Sequence, residues 1–476
     1  MSTPPTWFRA NVSAALADGA MRAATRNASA GQVEARSAEI ARVDSFEALR
    51  ELAARIKQYT IENLDHYLEQ FVTRATAAGA HVHFAATRDD ANRRIAAIAR
   101  DNALALCVKS KSMTSEETQL NAALEDAGVR VVETDLGEFI VQLDRDTPSH
   151  IVMPIIHKNR AVIARAFTRE LGVEYTEDPR SLAMHARRYL RDVFRRCDLG
   201  ISGVNFAVAE SGALCICTNE GNGRLTTTRP RVHVALMGIE KIIPRMVDLS
   251  VFLKILARSS TGQSITVYTS LISGPKRAAD ADGPEQLHIV LLDAGRRNII
   301  ERGFNEALRC IRCGACLNVC PVYRTIGGHA YGNVYPGPIG KVIAPLLNDA
   351  VHYAELPQAS SLCGRCLEVC PVKIDIPDLL VRLRRDQVEE RVAPVRRSAA
   401  FRRLLCALSA PHRLRAAQRL ARILSTPWAS GEWLTSLPGP LRRITKLRDI
   451  PRPAARTFRD LWRAGLGTEQ RRTKES

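Results

Sequence analysis

Apolar positions along the first three hundred residues alternate between helical and strand periods. Phe46, Leu49, Leu52 and Ile56 recur at helical spacing, with Asp44 or Ser45 placed to cap the helix they predict. Ile61, Leu64, Tyr67, Leu68 and Phe71 carry the same pattern toward Gly79. Beyond it, residues 81–85, 103–109 and 129–133 read as strands, and residues 89–100 and 114–127 between them read as helices. A helix over 179–196 precedes a hairpin made of 200–209 and 213–218, turned at Glu210-Ser211-Gly212. More strands are expected over 232–237, 265–271 and 288–292, with a loop over 273–284. Such strand–helix alternation predicts an open α/β sheet with parallel strands.

The pattern changes twice more. Residues 1–43 are Ala-rich and polar, and read as a flexible or loosely helical lead-in. The α/β domain is expected to span 44–297. Residues 298–391 carry little strand pattern and predict a mostly α-helical domain. Residues 392–476 form a basic tail with Pro, Trp and Arg throughout.

The helical region holds the clearest chemistry. Cys310, Cys313, Cys316 and Cys320-Pro321 match the Cys-x2-Cys-x2-Cys-x3-Cys-Pro run by which bacterial-type ferredoxins hold [4Fe–4S] clusters. Cys363, Cys366 and Cys370-Pro371 repeat it with the first cysteine missing and Ser360 in its place. Three closely spaced cysteines wrap one cluster, while the fourth, past a turn, serves the other cluster. That logic assigns Cys310, Cys313, Cys316 and Cys370 to one cluster, and Cys320, Cys363 and Cys366 to the second. Ser360 is the positional candidate to complete the second; a three-iron cluster, a solvent ligand or a partner's cysteine are the alternatives. A structural zinc site would leave the two Cys-x3-Cys-Pro endings unexplained.

The other five cysteines read as packing residues: Cys107 in a strand-like run, Cys197 at a helix end, Cys406 in an apolar helical stretch, and Cys215 with Cys217 on one strand face.

Charge changes the picture only at the end of the chain. Of the net +18, residues 391–476 supply 20 Lys/Arg against 5 Asp/Glu. The body is close to neutral, so no nucleic-acid partner is expected. No stretch approaches the ~20 apolar residues of a membrane span, and no secretory leader is evident. A cytoplasmic location is expected, where clustered thiols stay reduced. Cationic and apolar residues alternate at helical spacing over 396–405 and 413–424, followed by Trp428, Trp433 and Trp462. Such a tail suits peripheral contact with an anionic membrane surface, or docking onto a partner.

Residues 321–340 and 360–371, together with Val108-Lys-Ser-Lys-Ser-Met-Thr114, residues 198–215 and Thr218-Asn-Glu-Gly-Asn-Gly-Arg224, closely resemble the iron–sulfur subunits of bacterial L-lactate utilisation systems. The resemblance implies a LUD domain, related in fold to formyltetrahydrofolate cyclo-ligase and CoA-transferase-like α/β proteins, followed by a ferredoxin-like two-cluster domain. It implies a cytoplasmic three-protein system that oxidises L-lactate to pyruvate, this chain carrying electrons. The partners would be a cysteine-rich-domain protein and a small LUD-domain protein. The family's first cluster takes four cysteines and its second three, as counted here. No Gly-x-Gly-x-x-Gly fingerprint stands out, which favours relay over oxidation by this chain alone. The rival reading is a self-sufficient ligase- or transferase-like enzyme with structural clusters.

Within the α/β domain, Lys109, Lys111 and Arg224 are candidates to hold an anionic substrate, and Glu210 and Glu220 to act as acid/base groups. His329 and Tyr331, between the cysteine groups, are expected to pack a loop around the cofactors rather than exchange electrons.

Overall fold

The computed structural model describes residues 7–390, 399–445 and 448–465. The chain divides into two compact units, 1–394 and 395–476.

The first unit is built on a six-stranded, wholly parallel sheet. Its strands come from β1 (His81–Ala85), β2 (Leu106–Lys109), β3 (Arg130–Glu133), β4 (Leu199–Ser202), β7 (Val232–Gly238) and β10 (Gln286–Leu292), in the order β1-β10-β7-β4-β2-β3. Alternate residues of β10 explain why the sheet is buried on both faces. Leu287, Ile289 and Leu291 pack with Leu64 and Phe71, while Val290 and Leu292 pack with Ile95 and Ile98. Helix Arg88–Asp101 starts at Thr87, whose hydroxyl accepts from the Asp90 amide.

The remaining strands, β5 (Phe206–Val208), β6 (Ala213–Thr218), β8 (Ile242–Ile243) and β9 (Tyr268–Ile272), form a second sheet in the order β8-β5-β6-β9. The hairpin at Glu210–Gly212 is present between β5 and β6. The strand expected over 200–209 is divided, β4 joining the large sheet and β5 the small one. The chain turns between them at Asn205, whose amide donates to the Cys215 carbonyl and whose side chain accepts from the Cys217 amide. The helix expected over 114–127 is likewise two, Met113–Thr118 and Leu120–Asp126, separated by Gln119 at φ 55°.

From Arg296 to Glu389 every described element is helical. These helices share one apolar core with the second sheet: Phe206, Val208 and Cys215 cluster with Phe252, Phe304, Leu317, Tyr323 and Ile343.

Residues 7–40, expected as part of a flexible or loosely helical lead-in, form helices Trp7–Ala17 and Gly19–Ile40. Tertiary contacts hold them. Phe8 is buried in the core around the cysteines, Trp7 donates to the His352 carbonyl at 3.0 Å, and Arg36 donates to the Val369 carbonyl at 2.9 Å. An Ala-rich sequence with few apolar residues shows little amphipathic pattern, yet its small side chains allow close packing.

The second unit contains helices Ala399–Leu408, Pro411–Ser425 and Phe458–Arg463, and a small sheet of Ala429–Ser430, Trp433–Leu434 and Ile450–Pro451. Leu420, Ile423, Leu424, Phe458 and Trp462 are all exposed on it. Cys406, expected to pack, is exposed because its helix leaves that face uncovered among the described residues.

Candidate functional site

The two cysteine motifs adopt the same backbone. In the first, Arg312 is left-handed at φ 60° and Gly314 at φ 77°, and helix Ala315–Val319 carries Cys316 and delivers Cys320. In the second, Leu362 stands at φ 56° and Gly364 at φ 82°, and helix Arg365–Val369 carries Cys366 and delivers Cys370. Left-handed Arg and Leu are unfavourable, so their recurrence at matched positions marks a loop shaped by what it encloses. The Arg312 amide donates to Cys310 Sγ at 3.4 Å, and the Leu362 amide donates to Ser360 Oγ at 3.2 Å. The Ser360 hydroxyl thus stands where the Cys310 thiol stands in the other motif.

The sulfurs fall into two groups that cut across the motifs. Cys310, Cys313, Cys316 and Cys370 line one cavity, walled by Ile151, Ile339, Val372, Ile374 and Ile376. Burial, with Cys310 beside them, pushes the Cys313 thiol up to about 12 and the Cys370 thiol up to about 11. Burial also pushes Cys366 up to about 12, and its sulfur neighbours are Cys320 and Cys363. Thiols packed this tightly stay protonated until a metal replaces the protons. Thiolate donors in an apolar shell fit an iron–sulfur cluster.

Cations surround both groups. Arg50 donates to the carbonyls of Leu367 and Cys370, and Arg36 to that of Val369, so two N-terminal helices hold the end of the second motif's helix. Lys341 is fully buried, its ammonium 4.0 Å from Cys320 Sγ and 5.7 Å from the centre of the Tyr331 ring. Tyr331 is also fully buried, and its phenol is pushed up by burial and by Cys320. It borders the second group. His329 does not; its ring donates to the Thr147 carbonyl at 2.7 Å and faces His157.

The α/β candidates separate. Lys109 lies at the end of β2 with no exposed surface, held by Ser115 and by Glu116 and Glu133, each carboxylate at 2.8 Å. Burial pulls its ammonium down, but Glu116, Glu133 and Glu138 outweigh that and hold it above the usual range. A cation so enclosed cannot receive a substrate. Arg224 is exposed on helix Asn222–Thr228, and Glu210 accepts from the Met246 amide at 2.8 Å. Neither lines the cavity that gathers Lys111 and Glu220.

Lys111 and Glu220 do come together, in a cavity of about 500 Å³ at the carboxyl ends of the parallel strands. Ser110 follows β2, Asp135 follows β3, Gly203 follows β4 and Lys241 follows β7, and all four line it. Burial and Asp135 raise the Glu220 carboxyl. Ile151, Ile311 and Arg312 line both this cavity and the cysteine-lined one. Arg312 and Lys241 carry no signal in the sequence, because each needs the tertiary fold to meet the cavity.

Cys107 and Cys197 are buried as packing residues, while Cys215 and Cys217 place their sulfurs 3.9 Å apart on β6.

The LUD domain family matches residues 68–292, and the 4Fe–4S dicluster domain family matches residues 306–374, so the chain carries two [4Fe–4S] clusters. The chain is 44% identical to lactate utilization protein B of Bacillus licheniformis, covering 95% of each chain, and 43% identical to that of Shouchella clausii, covering 96% of each. The Bacillus subtilis protein of that name is 42% identical over 98% of each chain. A solved DUF162 family protein from Deinococcus radiodurans is 14% identical, with a TM-score of 0.28 over 48% of this chain and 98% of that one. With relatives this similar end to end, the chain belongs to the lactate utilization protein B family.

Proposed function

We propose that this chain is the iron–sulfur electron-transfer subunit of a multi-protein system oxidising L-lactate to pyruvate. The supporting observation is the crossed grouping of sulfurs, Cys310, Cys313, Cys316 and Cys370 against Cys320, Cys363 and Cys366. Two [4Fe–4S] clusters supply two one-electron sites, matching the two electrons that leave a 2-hydroxy acid as it becomes a 2-oxo acid. The chain's own residues seat and tune those sites. Seven thiolates ligate, Arg36 and Arg50 fix the second motif's helix, and Lys341 offsets negative charge at Cys320. Ser360 is the positional fourth ligand of the second cluster. In this reading residues 44–297 are the LUD domain and 298–391 a ferredoxin-like domain. The partners are a cysteine-rich-domain protein and a smaller LUD-domain protein.

The test is anaerobic mixing of the cluster-loaded chain with those partners and L-lactate, followed by EPR. Reduction that requires lactate and both partners is expected. Clusters that stay oxidised under turnover would refute the relay.

The exposed apolar residues and arginines of 399–463 support a second contact, with an anionic membrane surface. Truncation at Arg391 should abolish co-flotation with anionic vesicles; unchanged recovery refutes it. Among the described residues no helix is long and apolar enough to cross a membrane.

A further inference from the structure

The cavity at the strand ends carries more positive charge than its own residues neutralise. Lys241 lines it and makes no side-chain hydrogen bond or ion pair among the described residues. Lys111 donates to the Val152 carbonyl and makes no direct ion pair among the described residues, with Glu220 its nearby charge in the lining. Arg312, whose side chain is 8% exposed, pairs with Glu240 at 3.6 Å through Nη2 and lies over the Tyr335 ring, but its Nη1 is buried and without a hydrogen-bond partner among the described residues. Two lining carboxylates, Asp135 and Glu220, offset part of the charge of the three lining cations, Lys111, Lys241 and Arg312. Asp135 accepts from the Gly137 and Glu138 amides, and Glu220 from the Leu136 amide. Buried cations and guanidinium N–H groups left unpaired are costly, and an anion from outside would satisfy them.

Size narrows the class. About 500 Å³ holds roughly seventeen waters at ~30 Å³ each. A three-carbon hydroxy acid would fill only a minor part. The rest of the wall includes Met113, Val152, Ile216 and Leu256, which suit an apolar or aromatic body. The place is also where open α/β sheets hold ligands, outside the carboxyl ends of the strands.

We propose that this cavity binds an organic anion of mononucleotide size, its phosphate or carboxylate head held by Lys111, Lys241 and Arg312 and its body against the apolar wall. Arg312 sits between Cys310 and Cys313, so the ligand would share a wall with the first cluster's cavity. The proposal concerns binding alone and stands or falls independently of the electron-transfer reading.

The test uses the full, cluster-loaded chain under anaerobic conditions, titrated calorimetrically with flavin mononucleotide, AMP, L-lactate and inorganic phosphate. One of the two nucleotides should bind at least tenfold more tightly than lactate or phosphate. Lys241→Met and Lys111→Met should each weaken it about tenfold, and Lys241→Arg should retain it, with the cluster absorption and EPR spectra unchanged. The proposal is overturned if none of the four probes binds, or if lactate or phosphate binds as tightly as the nucleotides. Nucleotide binding that survives both Met substitutions would also overturn it, by placing the ligand elsewhere on the chain.

Discussion

Replacing Lys341 with Met should lower the reduction potential of the second cluster. The ammonium is buried 4.0 Å from Cys320 Sγ, so little solvent screens it. Burial pulls this ammonium down, and the sulfurs of Cys320, Cys366 and Cys316 oppose that. Two opposite unit charges 4 Å apart interact by about 4 kcal/mol at an effective dielectric constant near 20. An electron added to a cluster spreads over all its irons and sulfurs, so roughly a quarter to a half of that energy, ~1–2 kcal/mol, is at stake. At ~59 mV per ~1.4 kcal/mol for one electron, the potential should fall by about 40–85 mV. Methionine keeps most of the volume, which separates charge from packing. Potentiometric titration followed by EPR reads the two clusters separately, and Lys341→Arg should recover most of the loss. A shift below ~20 mV, or one confined to the first cluster, would show that the reasoning is wrong.

Three other sets of substitutions probe different parts of the molecule. Cys370→Ala should abolish the same EPR signal as Cys313→Ala and spare the signal lost in Cys363→Ala; loss in company with Cys363 would mean the ligands do not cross. Arg296 is 1% exposed and bridges Glu117 at 2.9 Å and Glu240 at 2.6 Å, so Arg296→Met takes the nearest cation from two buried carboxylates, leaving them the longer pairs with Arg88 at 3.8 Å and Arg312 at 3.6 Å. It should cost about 3–5 kcal/mol, visible as a lower thermal midpoint of the cluster-loaded chain, and a loss under ~1 kcal/mol would contradict this. His233 is fully buried 2.7 Å from Ser202 Oγ, and burial with His288 beside it pushes the imidazole down from 6.5 to about 3. The native state holds this ring neutral while the unfolded chain protonates it. Its contribution is therefore intact above pH 6.5 and is lost as pH falls from 6.5 toward 3, by about 1.4 kcal/mol per unit. His233→Gln should flatten that acid limb in denaturant titrations; an unchanged slope would refute the assignment.

What the sequence makes legible here follows from how local each determinant is. β2, β7 and β10 are evident because strands buried on both faces need near-continuous apolar runs. The crossed grouping of the sulfurs is also readable, since a Cys-x3-Cys-Pro ending directs its last sulfur away from its own motif. The division of 200–209 between two sheets is not readable, because both halves are equally apolar and only the turn at Asn205 separates them. Lys109 reads like Lys111 as text, yet one is enclosed by Glu116 and Glu133 while the other faces a cavity. The sorting is done by residues brought in from β3 and the helices around it. Arg312 is hidden for the opposite reason: it lies inside a cluster motif, where attention goes to the cysteines on either side.

The long-range clasp of the N-terminal helices has a consequence for biosynthesis. Trp7 and Arg36 reach partners at His352 and Val369, sequence separations of 345 and 333 residues. At ~5–20 residues per second, about 17–70 seconds pass between synthesis of Arg36 and of its acceptor. Most helical stability comes from tertiary packing, and through that interval these helices lack the partners that Trp7 and Arg36 reach. A segment made well before its partners is thus among the last to settle, and until it does, the end of the second cysteine motif lacks the Arg36 hydrogen bond that helps close it.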